Sequence, residues 1–148
     1  MAKIRHIALA AKDPLATAAF YIKAFDFKEV QRFGDFTGGT EGKSYGVYLS
    51  DGTLNLAIIH FGWPQPGRDL GFLGLHHFGV EVNDADAYTQ KLESLGAECF
   101  VRRPEGDSDA FYEVKFVGPD TVLFDIAEKP WVGTEPAAAA KQGATEGV

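Results

Sequence analysis

The pattern of hydrophobic and polar residues divides the chain into two halves of the same order. An alternating strand at residues 4–11 leads into an amphipathic stretch, and a second such strand at 75–82 leads into another. Period-two alternation is typical of a strand with two different faces. Each amphipathic stretch is predicted to begin as a helix at an acidic residue, Asp13 or Asp84, because that carboxylate accepts hydrogen bonds from free backbone N–H groups. The chain therefore contains a repeated strand–helix unit.

Three further strands are predicted after each helix. Asp51 and Gly52 are expected to form a two-residue hairpin turn, since a type I′ turn needs the positive φ that this pair tolerates. The order βαβββ then occurs twice, which predicts an α+β fold whose two βαβββ modules form paired curled mixed sheets around a cleft. The six further strands are expected near residues 27–33, 43–50, 53–61, 98–102, 111–117 and 122–128.

The modules are expected to form one domain over residues 1–133. Module 1 covers about 3–61 and module 2 about 75–129. Residues 62–74 are dense in Gly and Pro and are predicted to be the linker loop between the modules. Residues 134–148, with four alanines and a small polar end, are expected to be a flexible C-terminal tail.

Composition excludes two classes of partner. The net charge of −7 and the pI near 5.0 argue against nucleic-acid binding, which needs a basic face. No stretch approaches the roughly 20 apolar residues that span a bilayer, and the N-terminus lacks the apolar core of a signal peptide. We therefore expect a cytoplasmic protein whose partner is a small molecule.

Strand parity places three possible metal ligands on the cleft face. The apolar residues of each strand must face a helix, which directs His6, His77 and Asp125 into the cleft. Two imidazoles and one carboxylate suit Fe(II), Mn(II), Zn(II), Co(II) or Ni(II). Separations of 71 and 48 residues match no local metal motif, so the fold must assemble the site. His76 in place of His77, and Glu128 in place of Asp125, are alternatives that the pattern leaves open.

Other polar residues near the cleft are candidates for catalysis and substrate binding. His60 is a candidate acid or base because histidine titrates near neutral pH, although its parity places it at the rim. Glu81 shares the face of His77, as a base or as a partner of that ligand. The remaining candidates are Tyr112 for catalysis or hydrogen bonding to substrate, Asn55 for substrate hydrogen bonding, and Arg103, with Arg68 and Arg102, for clamping an anionic group.

The doubled pattern resembles the vicinal oxygen chelate superfamily, which includes glyoxalase I, extradiol dioxygenases, fosfomycin- and bleomycin-resistance proteins and methylmalonyl-CoA epimerase. The resemblance covers about residues 3–129 and implies paired βαβββ modules, a divalent metal in the cleft and commonly a homodimer. It rests on the segments His6-Ile7-Ala8-Leu9, His77-Phe78-Gly79-Val80-Glu81-Val82, Gly118-Pro119-Asp120 and Leu123-Phe124-Asp125-Ile126.

Two departures from the family's pattern bear on the reaction. The last ligand is usually Glu, whereas Asp125 is one methylene shorter. The family's fourth ligand comes from the last strand of module 1, where aligning residues 53–60 with 121–128 places Ala57 opposite Asp125. Alanine cannot ligate a metal, which argues against a simple glyoxalase I and leaves a set of two histidines and one carboxylate with open positions.

The favoured function is a metalloenzyme that acts on a small oxygen-chelating substrate, with extradiol-dioxygenase-like chemistry and one divalent transition metal. Fe(II) or Mn(II) is favoured, and Zn, Ni and Co are alternatives. The metal would polarise vicinal oxygens as a Lewis acid. The alternative functions are a glyoxalase- or epimerase-type isomerase or lyase, and a non-catalytic bleomycin-resistance-type binding protein whose cleft Trp63 and Trp131 would line. Whether the site lies within one chain or across a dimer is open.

Overall fold

The computed structural model of the chain describes residues 2–37, 42–106 and 109–134. Its elements follow the predicted order, with a strand, a helix and three strands in each half, which confirms the α+β fold class. A short 3-10 turn at Pro119–Thr121 precedes the last strand. The elements are β1 (Lys3–Ala10), α1 (Pro14–Phe25), β2 (Lys28–Phe33), β3 (Tyr45–Ser50), β4 (Asn55–His60), β5 (Gly74–Glu81), α2 (Ala85–Ser94), β6 (Glu98–Val101), β7 (Val114–Val117) and β8 (Leu123–Ala127).

The eight strands form one continuous mixed sheet in the order β2-β3-β4-β1-β5-β8-β7-β6. In each module the first and last strands are parallel, β1 with β4 and β5 with β8. The modules join through the antiparallel pair β1 and β5, where Ala8 lies opposite His77. The two paired sheets expected from the sequence are therefore halves of a single curled sheet, with β2 and β6 at its edges.

Each helix covers the outer face of its own half of the sheet. Side chains on successive strand residues point to opposite faces of the sheet. Residues that pack against a helix therefore alternate with residues on the opposite face, which we call the cleft face. A small third cluster of Ala8, Ala57 and Ile59 is buried on that cleft face. The helix-side clusters comprise Ala11, Ala18, Val47, Leu49 and Ile58 in module 1 and Val82, Ala85, Val114, Phe116 and Ile126 in module 2.

Both helices begin where the sequence predicts. Asp13 Oδ1 accepts a hydrogen bond from the Ala16 N–H at 3.2 Å, and Asp84 Oδ1 accepts one from the Ala87 N–H at 2.9 Å. The helices contain 12 and 10 residues. Within the described ranges, neither is long and apolar enough to cross a membrane.

The loop between β3 and β4 is longer than the sequence predicts. β3 ends at Ser50 and β4 begins at Asn55, so the prediction of a two-residue turn was wrong. Asp51 Oδ1 accepts hydrogen bonds from the backbone N–H groups of Thr53 and Leu54 at 2.8 and 2.7 Å. These side-chain hydrogen bonds satisfy loop N–H groups that would otherwise pair β3 with β4. The pairing of the two strands therefore ends at Ser50 and Asn55.

The chain after β8 returns to the cleft face. Trp131 is 2% exposed, and the backbone N–H of the buried Thr134 donates to the Trp131 carbonyl at 3.0 Å. Thr134, which the sequence assigned to a flexible tail, is thus packed against the domain. The rest of that tail, residues 135–148, lies outside the described residues.

Candidate functional site

Three strands bring the predicted ligands together within one chain. His6 lies on β1, His77 on β5 and Asp125 on β8, and their ligand atoms lie within 4.8 Å of one another. His6 Nε2 is 3.2 Å from His77 Nε2, which is 3.1 Å from Asp125 Oδ2. All three residues are buried. We call these three residues the cluster.

Strand register explains why the cluster forms. His6 lies opposite Gly79 in the β1–β5 pair, and Gly79 lies opposite Asp125 in the β5–β8 pair. The His6 and Asp125 side chains therefore flank a residue without a side chain. A Cβ atom at Gly79 would lie 2.9 Å from the His6 Cβ and 2.8 Å from the Trp131 ring, which is closer than packed carbon atoms approach. Glycine at this position makes room for both neighbours.

Asn55 and Trp131 hold the His6 ring. Asn55 Oδ1 lies 2.7 Å from His6 Nδ1, and Asn55 Nδ2 donates to the Val132 carbonyl at 2.9 Å. The oxygen acceptor favours the Nδ1–H tautomer and directs the Nε2 lone pair into the cluster. Trp131 stacks on the imidazole with ring centroids 4.8 Å apart. Burial lowers the pKa of His6, which keeps the ring neutral and able to bind a metal.

His76 supports His77 from behind. The Nδ1 atoms of the two rings lie 2.8 Å apart, and the His76 ring stacks on Phe61 with a centroid separation of 3.9 Å. Burial and the adjacent His77 lower the pKa of His76 to about 3, so His76 is neutral. Its Nδ1 can then accept a hydrogen bond from the Nδ1–H of His77. In that tautomer His77 Nε2 faces the cluster with its lone pair. Of the two histidines that the sequence left open, His77 is therefore the one whose Nε2 joins the cluster.

Two charged residues that the sequence reasoning missed lie beside the cluster. Lys115 Nζ is 3.0 Å from Asp125 Oδ2 and 3.3 Å from Glu113 Oε1. Glu113 Oε2 accepts a hydrogen bond from Trp131 Nε1 at 2.8 Å. Strand parity contained a signal for both residues: Glu113, directly before β7, and Lys115, within it, alternate with the core residues Val114 and Phe116.

The opposite charges of Asp125 and Lys115 stabilise each other. Burial raises the pKa of Asp125, but His77 and Lys115 outweigh it and hold that pKa well below its ordinary value. Burial likewise lowers the pKa of Lys115, but Asp125 and Glu113 outweigh it and the pKa lies above its ordinary value. A carboxylate and an ammonium therefore face each other in a largely buried pair.

The donor set fits a divalent transition metal. Ligand atoms about 2.1 Å from such an ion lie roughly 3.0 to 3.4 Å from one another in octahedral or tetrahedral geometry. The His6–His77 and His77–Asp125 separations of 3.2 and 3.1 Å agree with that range, and the third pair, His6 and Asp125, lies within 4.8 Å. With Nδ1–H tautomers on both histidines, two nitrogen lone pairs and a carboxylate oxygen converge, an arrangement that a cation stabilises. Lys115 and a metal would share Asp125 Oδ2, so the two cations compete for one oxygen.

The register also identifies the counterpart of Asp125 in module 1. His6 precedes Ala8 by two residues and Ala8 lies opposite Ala57, just as His77 precedes Gly79 by two and Gly79 lies opposite Asp125. Ala57 offers no ligand atom. Tyr48, the neighbour of Ala57 on β3, occupies the place that Lys115 has beside Asp125. Burial, with the nearby Glu113 charge, raises the pKa of Tyr48 to about 12, so its phenol stays protonated.

Several predicted residues lie away from the cluster. His60 is at the end of β4, where its Nδ1 is 3.3 Å from the Lys12 carbonyl oxygen and its ring stacks on Tyr45. Glu81 lies at the end of β5, four residues or roughly 13 Å along the strand from His77. The catalytic roles expected for His60 and Glu81 stay predictions.

The remaining candidates contact other parts of the protein. The Arg103 guanidinium lies 5.3 Å from the Tyr112 ring centroid and pairs with Asp86 at 2.8 Å. The Tyr112 hydroxyl is buried without a hydrogen-bond partner in the part of the chain that is described. Glu128, the alternative to Asp125, accepts a hydrogen bond from the Ala85 N–H at the start of α2. Asn55 uses both of its polar atoms within the protein, on His6 and on Val132.

Comparison with known proteins identifies the family. Residues 3–126 match the sequence profile of the Glyoxalase/Bleomycin resistance protein/Dioxygenase superfamily. Comparison with curated proteins found no significant match. Solved structures with this fold include a hypothetical protein from Bacillus halodurans C-125, with 16% identity, a TM-score of 0.66 and coverage of 88% of this chain and 96% of that one.

Two further solved structures are methylmalonyl-CoA epimerases. The Streptomyces coelicolor epimerase in complex with 2-nitronate-propionyl-CoA is 19% identical, with a TM-score of 0.64 and coverage of 84% of this chain and 95% of that one. The Mycobacterium tuberculosis epimerase is 16% identical, with a TM-score of 0.64 and coverage of 93% and 91%. These structures share the paired-module fold, and the family profile spans most of the sequence. The chain therefore belongs to the Glyoxalase/Bleomycin resistance protein/Dioxygenase superfamily.

Proposed function

We propose that the chain is a divalent-metal-dependent enzyme that acts on a small molecule able to chelate a metal through two oxygens. The observation that supports this proposal is the convergence of His6, His77 and Asp125, all buried, from three strands to within 4.8 Å. A set of two imidazoles and one carboxylate leaves coordination positions open for a substrate. When bound, the metal would polarise the substrate oxygens and stabilise negative charge that develops on them.

The chain's own residues would orient the substrate and move protons. Glu113 lies beside the cluster without belonging to the ligand set, and its carboxylate is the general base that we propose. The Lys115 ammonium would stabilise negative charge on the substrate. The Trp131 ring, which stacks on His6 and is 2% exposed, would form one wall of the site.

Proton transfer next to a carbonyl, of the glyoxalase or epimerase type, is the reaction that these residues favour. Glu113 and Lys115 form a candidate acid–base pair beside the cluster, where Lys115 contacts both Glu113 and Asp125. The epimerase activity named for two of the solved neighbours is of the same type.

Extradiol-dioxygenase-like ring cleavage is the second candidate. Ala57 stands where module 1 of the family places a fourth ligand, which leaves a further coordination position for O₂. Fe(II) or Mn(II) is the favoured metal, with Zn, Ni and Co as alternatives, because imidazole and carboxylate ligands suit all five.

Elemental analysis of protein purified without a tag or chelator tests the metal site. We expect about one transition metal per chain in the wild type and its loss in His77→Ala and Asp125→Ala. His60→Ala is the matched control, since it removes a histidine outside the cluster and should retain the metal. Wild-type protein that stays metal-free after incubation with Fe(II), Mn(II) and Zn(II) would contradict the proposal and favour a bleomycin-resistance-type binding protein.

Two assays on metal-loaded protein distinguish the reactions. Proton transfer predicts uptake of solvent deuterium at the carbon beside the carbonyl in a panel of α-hydroxy ketones and 2-alkylmalonyl thioesters, measured by NMR. Glu113→Gln should abolish that uptake while the metal content stays unchanged. Ring cleavage predicts O₂ consumption with catechols by the Fe(II)-loaded protein and no deuterium uptake.

We further propose that the protein acts as a homodimer in the cytoplasm. The family resemblance supports the dimer, and the single cysteine, which permits no disulfide within the chain, agrees with a reducing compartment. Light scattering on the size-exclusion peak would give the mass directly. A monomer at micromolar concentration would contradict the dimer.

A further inference from the structure

A cavity of about 440 Å³ lies where β1 and β4 end and β5 begins. Ala10 and Ile59 contribute the strand ends, and the linker between the modules covers the cavity from outside. Sites for small molecules in proteins typically have volumes of about 300 to 1,000 Å³. The cavity is therefore large enough for a compact organic ligand.

The linker side of this cavity is apolar and exposed. Trp63, Leu70, Phe72 and Leu73 all line it, and Leu70 and Leu73 each keep 59% of their surface exposed. Large apolar side chains gathered on one loop commonly mark a surface that a ligand or partner covers. These aromatic and branched side chains suit a ligand with an aromatic or branched apolar body.

Arg68 gives the same cavity a positive charge. Its Nε is shielded from solvent and has no hydrogen-bond partner among the described residues, while its Nη1 donates only to the neighbouring Gly67 carbonyl at 3.1 Å. The guanidinium lies 5.3 Å from the centroid of the Phe72 ring. A shielded guanidinium N–H without an acceptor is unfavourable until an acceptor is supplied. A carboxylate or similar group would supply it in the planar geometry that arginine prefers.

The other charged groups around the cavity agree with an anionic ligand. Lys12 lines it with Arg68, and Asp69 is the one acid among its lining residues. Asp69 forms no ion pair with Arg68 in the described structure. The cavity therefore has an excess of cationic groups over acidic ones.

His76 connects this cavity to the cluster. It lines the cavity, and its Nδ1 lies 2.8 Å from the Nδ1 of the cluster residue His77. Arg68 and His76 also line a smaller cavity of about 330 Å³ that includes His77. A ligand bound to Arg68 would thus be separated from the cluster by the His76 side chain alone.

We propose that this cavity binds a small organic anion with an aromatic or branched apolar body, and that Arg68 recognises the anionic group. Identifying that anion with the substrate rests on the proposed function, whereas its binding does not require the metal. Arg68 is then a specificity-determining residue: it selects for a charged group at one end of the ligand, while Trp63, Leu70 and Phe72 contact the apolar body.

Two fluorescent probes that differ in charge test this inference. 1-Anilinonaphthalene-8-sulfonate is an aromatic anion, and N-phenyl-1-naphthylamine is its neutral analogue. We expect saturable binding of the sulfonate at about one per chain, weakened at least about tenfold in Arg68→Met because a charge-assisted hydrogen bond is lost. The neutral probe should lose less than about twofold in the same variant.

Matched variants keep the result interpretable. Arg102→Met removes an exposed arginine of module 2 that pairs with Glu93, and it should leave binding of both probes unchanged. Leu70→Glu adds a negative charge to an exposed cavity residue and should weaken binding of the sulfonate even if Arg68→Met folds poorly. Circular dichroism on each variant reports the fold.

Three outcomes would overturn the inference. Equal losses of both probes in Arg68→Met would mean that the anion is not recognised there, and unchanged sulfonate binding in both cavity variants would place the probe elsewhere. No saturable binding at all would mean that something else, such as a second copy of the chain, covers the loop. Elemental analysis of the same samples distinguishes failure of this inference from failure of the proposed function. Anion binding by metal-free protein would support the anion site and contradict the metal-dependent function.

Discussion

Two cations, the Lys115 ammonium and a bound metal, would interact with the same oxygen atom, Asp125 Oδ2. The Lys115 ammonium lies 3.0 Å from Asp125 Oδ2, and the His77 Nε2 that would hold a metal lies 3.1 Å from the same atom. In a site shielded from water the ammonium stabilises the buried carboxylate, but its charge repels a divalent ion beside it. Lys115 therefore stabilises the metal-free protein and would weaken metal binding at the cluster.

Replacing Lys115 with methionine should separate these two effects. We expect Lys115→Met to bind Mn(II) or Zn(II) at least about tenfold more tightly, since a nearby positive charge is removed. In the presence of EDTA the same variant should lose about 3 kcal/mol of unfolding free energy, because Asp125 is left buried with His77 but without the ammonium that neutralises its charge. Chelator competition measures the first quantity and urea denaturation the second.

Lys23 provides the control for that experiment, since it is exposed on α1. Lys23→Met should change neither quantity by a measurable amount. Unchanged or weaker metal binding in Lys115→Met would show that the ammonium does not oppose the metal.

Strand β5 shows how one small residue determines the shape of the site. Gly79 separates His6 from Asp125 across the sheet, and the Trp131 ring lies over it. Because β5 pairs with β1 on one side and β8 on the other, a shift of this strand would move ligands from both modules.

Gly79→Ala should therefore disturb the ligands and the fold together. The new Cβ would lie 2.8 Å from the Trp131 ring and 2.9 Å from the His6 Cβ, and overpacking of this kind costs about 1 to 3 kcal/mol. We expect metal affinity and unfolding free energy both to fall. Gly96→Ala is the control: its φ of +95° makes alanine strained in a loop away from the cluster, so stability should fall without a change in metal affinity.

The β3–β4 loop makes a pH-dependent contribution to stability. Partial burial raises the pKa of Asp51, but hydrogen bonds from the Leu54 and Thr53 N–H groups and from the Thr53 hydroxyl outweigh it, and the pKa lies below its ordinary value. A carboxyl group whose pKa is depressed on folding stabilises the native state above its unfolded pKa, near 3.9. That contribution is lost as the pH falls through the lower, folded pKa.

Asp51→Ala should remove this contribution. We expect a loss of about 1 kcal/mol of unfolding free energy at pH 7, because the loop N–H groups lose a charged acceptor. The difference from the wild type should shrink as the pH falls from 5 toward 2. Urea denaturation at a series of pH values gives both curves, and a constant difference across the series would contradict the assignment.

At the scale of the whole molecule, the cluster joins the two modules. His6 belongs to module 1, whereas His77 and Asp125 belong to module 2, and β1 and β5 meet between them. A metal held by all three residues would bind the paired modules and not the unfolded chain. Binding of that kind stabilises the native state in proportion to the logarithm of the metal concentration.

Metal should therefore raise the melting temperature. At a free metal concentration 100 times the Kd the gain is about 2.7 kcal/mol, which corresponds to roughly 5 to 10 °C for a domain of this size. Differential scanning calorimetry with Mn(II) or Zn(II), and then with excess EDTA, measures the rise and its reversal. His6→Ala should show neither, and a rise that persists in this variant would mean that the metal binds elsewhere.

The element order and the placement of the three candidate ligands on one face could be predicted from local pattern. Period-two alternation assigns each strand residue to a face, and this assignment directs His6, His77 and Asp125 toward one cleft without any knowledge of which strands are neighbours. The hairpin prediction failed for a local reason, because the alternation pattern does not register the hydrogen bonds that the Asp51 side chain makes.

The sequence by itself determined the repeated βαβββ order, the fold class and which side chains face the cleft, because all three follow from short-range periodicity. Only the tertiary structure decided the partners of those side chains: Asn55 on His6, Lys115 on Asp125 and Trp131 across the cluster. These contacts depend on strand register and on the path of the chain after β8. Register and long-range packing join residues far apart in sequence, so no local pattern encodes them.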